Sequence, residues 1–221
     1  MSFEGKEKTY VDILLEQIEA QTRYIDEVRT IKHDMYAHMM VVKHYIGMEK
    51  YEAATEYLSK LMGFSIFQQG TYEDVENEVV SALLTARKFA AKDKVKFLVE
   101  GVWPQDIWID KVDLCVLVSN LISNSVEACE RLDYEESVVR ISFKTSEKSL
   151  TISISNPIEG DVNVETFGNC TSKEDTENHG YGMKNIKRIV SKYNGKMNIN
   201  CADGLVLVKI DLPHVAQDTS L

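Results

Sequence analysis

The sequence predicts an α+β protein in which an N-terminal helical hairpin precedes helices packed on one face of a sheet. The stretch 11–46 contains neither Gly nor Pro, and its apolar residues recur in steps of three and four. After the break at 69–70 the pattern becomes a mixture of helix-like and strand-like segments. We therefore expect two domains, residues 1–68 and 71–214, followed by a tail at 215–221.

The composition is that of an acidic globular protein. The 221 residues are 44% hydrophobic and include 25 basic and 35 acidic residues, which gives a formal net charge of −10. No Lys/Arg-rich run with interleaved aromatic residues is present, which argues against nucleic acid as a ligand. No uninterrupted apolar run approaches the roughly 18 residues of a membrane span. We expect the chain as given to be soluble and cytoplasmic.

The spacing of apolar residues in the first helix forms a heptad seam. Gln21 and Lys32 interrupt this seam, as polar residues do when they fix register and oligomeric state. A second amphipathic helix follows Gly47. Because two antiparallel helices cannot bury both apolar faces alone, we expect a homodimer that completes a four-helix bundle. The seam residues are Val11, Leu14, Ile18, Ile25, Val28, Met35, Met39, Val42 and Ile46.

The second domain is expected to contain three helices and five strands. Asp110 is the predicted N-cap of the long central helix, because an aspartate carboxylate accepts hydrogen bonds from the first backbone N–H groups. The two central strands alternate with period two around a turn at 147–148. The predicted helices are 72–92, 111–132 and 183–193, and the predicted strands are 95–99, 138–145, 150–156, 196–200 and 205–212.

The first candidate site is the segment from Lys32 to His38. If Lys32 and Met35 face the seam, His33 and Asp34 point toward solvent. A neutral, exposed imidazole is a competent nucleophile for phosphoryl transfer, and an adjacent carboxylate can orient the ring and take its other proton. The alternative interpretation is that both are ordinary solvated residues of a helix, and the motif by itself does not decide between the two.

The second candidate site is a polar stripe on the central helix. Asn120, Asn124 and Glu127 share one face of an otherwise apolar segment. Burying two amides costs free energy unless they find partners, and a hydrated Mg²⁺ that bridges nucleotide phosphates accepts amide oxygens as ligands. The alternative is that the local backbone satisfies the two amides.

The third candidate site is a pair of glycines that precedes a helix. Gly180 and Gly182 allow close approach of the backbone to a phosphate, and the first N–H groups of the helix point toward the anion. Alone, such a pair is an ordinary loop-to-helix turn. Here it follows a polar stretch at 157–179, whose length favours a functional lid over a passive connector.

The order and spacing of the three blocks resemble the sensor histidine kinases, and more narrowly their peptide quorum-sensing branch, typified by the accessory gene regulator receptor kinases. The resemblance extends from about Tyr10 to Pro213. It implies a Bergerat-type (GHKL) ATP-binding domain at 71–214 with ATP and Mg²⁺ as cofactors. It also implies autophosphorylation followed by phosphoryl transfer to an aspartate of a response regulator. The full-length protein is then expected to be anchored in the bacterial plasma membrane through a preceding sensor region.

The resemblance also assigns roles in the first block. His33, Asp34 and His38 match the branch pattern H-D-x-x-N-H, so that His33 is the implied phosphorylation site and Asp34 the implied general base. Ala37 departs from this pattern, because the family has an asparagine there that helps to hold the water for dephosphorylating the regulator. We therefore expect a competent kinase that is a poor phosphatase.

Nucleotide-binding residues are likewise implied by the resemblance. Asn120 and Asn124 match the family's metal and phosphate ligands, and Asn156 stands where most related ATPases have an aspartate that binds the adenine amino group. Lys173 matches a lysine that reaches the phosphates from the lid. The residues expected to bind nucleotide are Asn120, Asn124, Asn156, Lys173, Gly180, Gly182 and Met183.

Three other functions remain compatible with these motifs. One is an ATP-independent phosphotransferase with a degenerate nucleotide domain, although the retained asparagine and glycine sets argue against it. A second is an ATPase of the chaperone and mismatch-repair type, which uses a catalytic glutamate where this chain has Asn120. The third is a non-catalytic dimeric scaffold that binds ATP as part of its structure.

Overall fold

The computed structural model describes residues 10–62, 75–90, 94–101, 103–105, 107–132, 136–159 and 180–214. The chain divides into two compact units, Met1–Gln69 and Gly70–Leu221. The predicted Lys173 lies outside the described residues. Each unit is described by itself.

The first unit consists of two helices. Helix α1 spans Tyr10–Gly47 and helix α2 spans Tyr51–Met62. The turn between them places Glu49 at a φ of 57°, the left-handed conformation that commonly ends a helix. The rings of Tyr45 and Tyr57 meet edge to face, with centroids 6.2 Å apart, so the end of α1 packs against α2.

The heptad residues of α1 are largely exposed within this single chain. Val42 is buried, at 9% of its accessible area, where α2 covers α1. Val11 and Met35, by contrast, are 61% and 52% exposed. The exposed seam residues are Val11, Leu14, Ile18, Ile25, Val28, Met35, Met39 and Ile46. These residues form an exposed apolar stripe along α1.

The second unit has an α+β fold with a five-stranded mixed sheet, and the predicted α+β class is confirmed. The elements are α3 (Glu78–Ala90), β1 (Val95–Glu100), α4 (Lys111–Glu130), β2 (Ser137–Thr145), β3 (Ser149–Pro157), α5 (Gly180–Lys192), β4 (Lys196–Ala202) and β5 (Leu205–Pro213). The strand order is β1-β2-β3-β5-β4, with β1 parallel to β2 and the other pairs antiparallel.

One face of the sheet is covered by helices and carries the core. Strands β2, β3 and β5 alternate buried and more exposed residues, as expected for a sheet with one solvent face. Helix α4 contributes Leu117 and Ile122, both fully buried, to the same core. Trp103 is also fully buried and stacks on Phe143 of β2, with ring centroids 3.8 Å apart. The sheet and its covering helices therefore form two layers.

Two predicted helix boundaries were wrong. Helix α3 begins at Glu78 and not at residue 72, because Asn77 acts as its N-cap by accepting a hydrogen bond from the Val80 N–H at 3.2 Å. Helix α5 begins at Gly180 and not at Met183. The two glycines therefore form the first helical turn and do not precede it. The remaining boundaries differ by one or two residues, as helix and strand ends commonly do.

Among the described residues, the helix Lys111–Glu130 is long and apolar enough to cross a membrane by length and composition. Half of that segment is buried inside the protein, where α4 packs on the sheet. The core position of α4 accounts for its apolar composition.

Candidate functional site

The asparagine stripe of α4 lies directly against the first turn of α5. A Cβ placed on Gly182 would lie 3.0 Å from Oδ1 of Asn120 and 3.2 Å from Oδ1 of Asn124. Both amide oxygens thus converge on a position in this turn where the side chain is a single hydrogen. The structure therefore brings together the second and third candidate sites, which are about 60 residues apart in the sequence.

The two amides differ in their hydrogen bonding. The Nδ2 group of Asn120 donates to the carbonyl oxygen of Val116 at 2.6 Å, one turn earlier in α4. The side chain of Asn124 forms no hydrogen bond with any residue within the described ranges. Both residues are half-buried and not fully buried. The local backbone thus satisfies one amide group, while the two Oδ1 atoms stay on the Gly182 side, available to a ligand.

The first turn of α5 adds further groups to this site. Backbone N–H groups in the first turn of a helix have no intrahelical partner, and they favour an anion at that end. Gly180 begins the helix, and Met183 is half-buried against the core. Glycine at position 182 keeps this end of the helix close to the amide oxygens of α4. The first-turn N–H groups and the two amide oxygens thus lie side by side, and this set of groups suits an anion together with a cation that accepts oxygen ligands.

Asn156 lies near the end of β3, on the face of the sheet that the helices cover. It is 4% exposed and continues the inward series formed by Leu150, Ile152 and Ile154. Its Nδ2 group donates to the carbonyl oxygen of Pro157 at 2.9 Å. A polar amide thus ends a row of apolar core residues, and the adjacent backbone satisfies its Nδ2 group.

A hydrogen-bonded network holds the other ends of α4 and α5 together. Asp113 accepts hydrogen bonds from the Lys192 ammonium group and, at 2.9 Å, from the Tyr193 hydroxyl group. The Tyr193 oxygen in turn accepts a bond from the backbone N–H of Asp110 at 3.0 Å. The Lys192 hydrogen bond lowers the pKa of the Asp113 carboxyl group. This network, which the sequence analysis missed, fixes the antiparallel pairing that places Gly182 beside the asparagines.

Helix α1 presents the candidate acceptor to solvent, as predicted. The side chains of His33 and Asp34 are 82% and 63% exposed. Nδ1 of His33 lies 3.4 Å from Oδ1 of Asp34. A carboxylate oxygen accepts hydrogen bonds, so a hydrogen bond in this contact requires the tautomer of His33 that has its proton on Nδ1. In that tautomer the lone pair is on Nε2, the ring nitrogen that faces away from Asp34.

His38, the second histidine of the motif, has a different environment. Its Nδ1 atom lies 2.9 Å from the Tyr57 hydroxyl oxygen, and the side chain is half-buried between α1 and α2. His38 therefore contributes to packing within the first unit. His33 is the exposed histidine of the pair.

Part of the chain matches a known domain family, and most of it is similar to one curated protein. Residues 109–213, which hold α4, α5 and β2 to β5, match the model of the GHKL domain. A probable C4-dicarboxylate sensor kinase of Halalkalibacterium halodurans is 23% identical over 205 residues. That match covers 88% of this chain, and the chain spans 38% of the length of that relative.

Solved structures of histidine kinases are also similar to this chain. The catalytic domain of histidine kinase ThkA matches with 18% identity and a TM-score of 0.48, covering 66% of this chain and 96% of that one. Histidine kinase AdeS of Acinetobacter baumannii matches with 13% identity and a TM-score of 0.47, covering 94% and 86%. Residues 109–213 are thus similar to a GHKL domain, and the matched sequence relative is a probable sensor kinase.

Proposed function

We propose that this chain is the kinase region of a sensor histidine kinase, which uses ATP to phosphorylate His33 and then passes the phosphoryl group to an aspartate of a response regulator. The observation that carries the proposal is the convergence of the Asn120 and Asn124 amide oxygens on Gly182, inside the segment that matches a GHKL domain. An exposed histidine with a neighbouring carboxylate on α1 supplies the acceptor.

The amide oxygens and backbone N–H groups at the α4–α5 site suit a nucleotide with Mg²⁺. Amide oxygens are ligands that this hard ion accepts, and a Cβ at residue 182 would fill the space beside them. When bound, Mg²⁺ would neutralise phosphate charge. Asn120 and Asn124 would hold the metal and phosphate oxygens, and the first-turn N–H groups from Gly180 to Met183 would bind phosphate.

Asn156 is the proposed adenine-binding residue. Its burial at the end of β3, on the helix-covered face, would give the adenine amino group an amide oxygen as acceptor. Lys173, outside the described residues, is proposed to reach the phosphates. We also propose that the nucleotide domain extends over 71–214 and the phosphotransfer domain over 1–68.

His33 and Asp34 perform the proposed chemistry on α1. Nε2 of His33 attacks the terminal phosphorus, a nitrogen–phosphorus bond forms, the bond to the bridging oxygen breaks, and ADP leaves. Asp34 is the group next to Nδ1, so it holds the ring orientation and stabilises the proton there as positive charge develops. Because His33 is exposed, both ATP and the aspartate of a regulator can reach its Nε2 atom.

We further propose that the chain forms a homodimer through the exposed seam of α1. The eight exposed seam residues named above would pack against a second copy and complete a four-helix bundle. Gln21 and Lys32 would set the register of that interface. On the H-D-x-x-x-H pattern, we place the protein in the peptide quorum-sensing branch with a membrane-anchored sensor. Kinase control of the full-length protein by a C4-dicarboxylate, and not by a secreted peptide, would contradict that branch.

The decisive experiment is incubation of the chain with γ-labelled ATP and Mg²⁺, followed by a test of the label for acid lability. The proposal expects acid-labile label in the wild type and its loss in His33→Gln and Asn124→Ala. His44→Gln, which changes another exposed histidine of α1, is the matched control and should keep the label. Label retained in His33→Gln would rule out the assigned acceptor.

Measurements of ATP hydrolysis, ATP binding and phosphate transfer from a phosphorylated regulator, made beside the labelling, separate the rival functions. ATP hydrolysis without any protein-bound label indicates an ATPase of the chaperone type. Tight ATP binding with neither hydrolysis nor label indicates a scaffold. Acceptance of phosphate from a phosphorylated regulator, without ATP binding, indicates an ATP-independent phosphotransferase.

A further inference from the structure

Arg87 interrupts the apolar stripe of α3 and reaches α4. It follows Val79 and Leu83 at steps of four, and all three side chains are half-buried. Its Nη2 group donates a hydrogen bond to the Ser123 hydroxyl oxygen at 2.5 Å. A charged residue in an otherwise apolar series is visible in the sequence itself. Its guanidinium group is held at a defined place on the central helix.

That place is beside the two asparagines. Ser123 immediately precedes Asn124 and follows Asn120 by three residues, so it lies about 1.5 Å and about 4.5 Å from them along the helix axis. Around the axis it is rotated by roughly 100° from Asn124 and roughly 60° from Asn120. Ser123 thus lies on a neighbouring face of α4. The guanidinium group of Arg87 is therefore at the same level of α4 as the amide oxygens that converge on Gly182.

Within the described part of the chain, the guanidinium group has no anionic partner. No described carboxylate lies within 4.0 Å of Arg87, and its hydrogen bond goes to the neutral hydroxyl group of Ser123. Guanidinium has five N–H donors, and partial burial of this charge without an anion is costly. Its planar arrangement of donors matches the oxygens of a phosphate. The remaining N–H donors of the guanidinium group therefore favour a phosphate ligand close to Ser123.

The charge of the chain favours a basic residue beside a bound polyphosphate. The chain carries a net charge of −10, and the asparagine stripe itself continues into the acidic Glu127. Positive charge next to α4 would therefore stabilise a polyphosphate there. Arg87 is the half-buried basic residue that the described structure ties directly to this part of α4.

We propose that Arg87 binds the phosphate chain of the nucleotide, and that Ser123 positions its guanidinium group for that contact. This inference rests on the proposed function, because it assigns a ligand to the same α4 site. It predicts that substitution of Arg87 weakens the binding of ligands that carry phosphates and leaves adenosine binding unchanged. A role in packing alone would not produce that difference. Ser123 acts through Arg87 and is a positioning residue.

The test is calorimetric titration of the full chain with Mg-ATP, Mg-ADP and adenosine. Arg87→Ala should weaken Mg-ATP binding by on the order of tenfold or more, since it removes hydrogen bonds to a charged group, while adenosine binding stays unchanged. Arg87→Lys should retain part of the affinity because it keeps the charge but not the planar donor pair. Ser123→Ala should give a smaller loss. Arg140→Ala, on the exposed face of β2, is the matched control with the same charge change.

The outcomes distinguish this inference from the function on which it rests. A wild-type chain that binds none of the three ligands overturns the proposed function, and this inference with it. Mg-ATP binding that is unchanged in Arg87→Ala overturns the inference alone. Equal losses for adenosine and Mg-ATP in Arg87→Ala, with a lowered unfolding midpoint, assign Arg87 a structural role and also overturn it.

Discussion

Gly182 contacts the central helix so closely that a Cβ at this position would lie 3.2 Å from Oδ1 of Asn124. The Oδ1 atom of Asn120 is as close on the same side, at 3.0 Å. We expect Gly182→Ala to displace both amide oxygens or the start of α5. The expected result is a loss of Mg-ATP affinity of roughly tenfold or more, measured by calorimetry.

The control for this prediction is Gly47→Ala at the end of α1. Beyond its own turn of helix, no atom of the described residues lies within 4 Å of a Cβ built there, so the added methyl group meets open space. Its Mg-ATP affinity should equal that of the wild type. Gly182→Ala with unchanged affinity and an unchanged unfolding midpoint would show that the convergence of the two amides is not a nucleotide site.

The network around Asp113 should make stability depend on pH. Its folded-state pKa is lowered, chiefly by the Lys192 hydrogen bond, so its contribution is fully present above the unfolded pKa and is lost as the pH falls through the folded value. Asp113→Asn should lower the unfolding midpoint at pH 7 by roughly 3 °C or more. It should also flatten the decline in stability below about pH 4. Thermal unfolding followed by circular dichroism from pH 2 to pH 8 measures both effects.

Glu136→Gln provides the comparison for Asp113→Asn. Glu136 pairs with Lys96 at 3.3 Å, and both side chains are more than half exposed. An exposed pair of this kind contributes about 0–1 kcal/mol. Its removal should leave the midpoint and the acid profile nearly unchanged. Identical profiles for the two variants would show that the Asp113 network does not hold the helices together.

Gly101 should be essential for folding of the second unit. Its φ is +90°, and a Cβ there would lie 2.2 Å from the backbone oxygen of Phe143, which cannot move aside easily. Gly204 has a similar φ of +70°, but its nearest such contact is 3.9 Å away. Gly204→Ala should therefore cost about 1 kcal/mol from backbone strain, and Gly101→Ala distinctly more. Chemical denaturation of both variants tests the order, and an equal cost would contradict it.

Ala37 should limit phosphatase activity. It is exposed on α1 one turn after His33, so a side chain at this position lies on the same face as the proposed phosphorylation site. Ala37→Asn should accelerate loss of phosphate from a response regulator that the wild-type chain has labelled, because an amide there can hold a water molecule. The labelling rate of His33 should not change. An unchanged rate of regulator dephosphorylation would refute this, and Ala20→Asn, an exposed site on α1, is the control.

The sequence by itself determined the order and type of most elements. Apolar spacing predicted the two helices of the first unit, and period-two alternation predicted the paired strands β2 and β3 with their turn. The heptad pattern also predicted that His33 and Asp34 are exposed to solvent. The side of a helix on which a residue lies depends only on its position in the repeat. These features are local, so local pattern is enough to predict them.

Helix starts were less predictable. Asn77 begins α3 later than its apolar periodicity suggested, since its side chain caps the helix and its Nδ2 group also donates to the Pro104 and Gln105 carbonyl oxygens. Gly180 begins α5 earlier than its composition suggested. In both cases a contact or conformation at the boundary, which periodicity does not encode, decides where the helix starts.

The tertiary structure alone decided how the candidate site is assembled. Lys192 reaches Asp113 across 79 residues of sequence, and Arg87 reaches Ser123 across 36. Neither pair follows from spacing, because hydrogen bonds between separate helices depend on how the helices pack on the sheet. The motifs named the asparagines and the glycines. The packing of α4 against α5 and α3 determined that two amide oxygens meet Gly182, with a guanidinium group held at the same level.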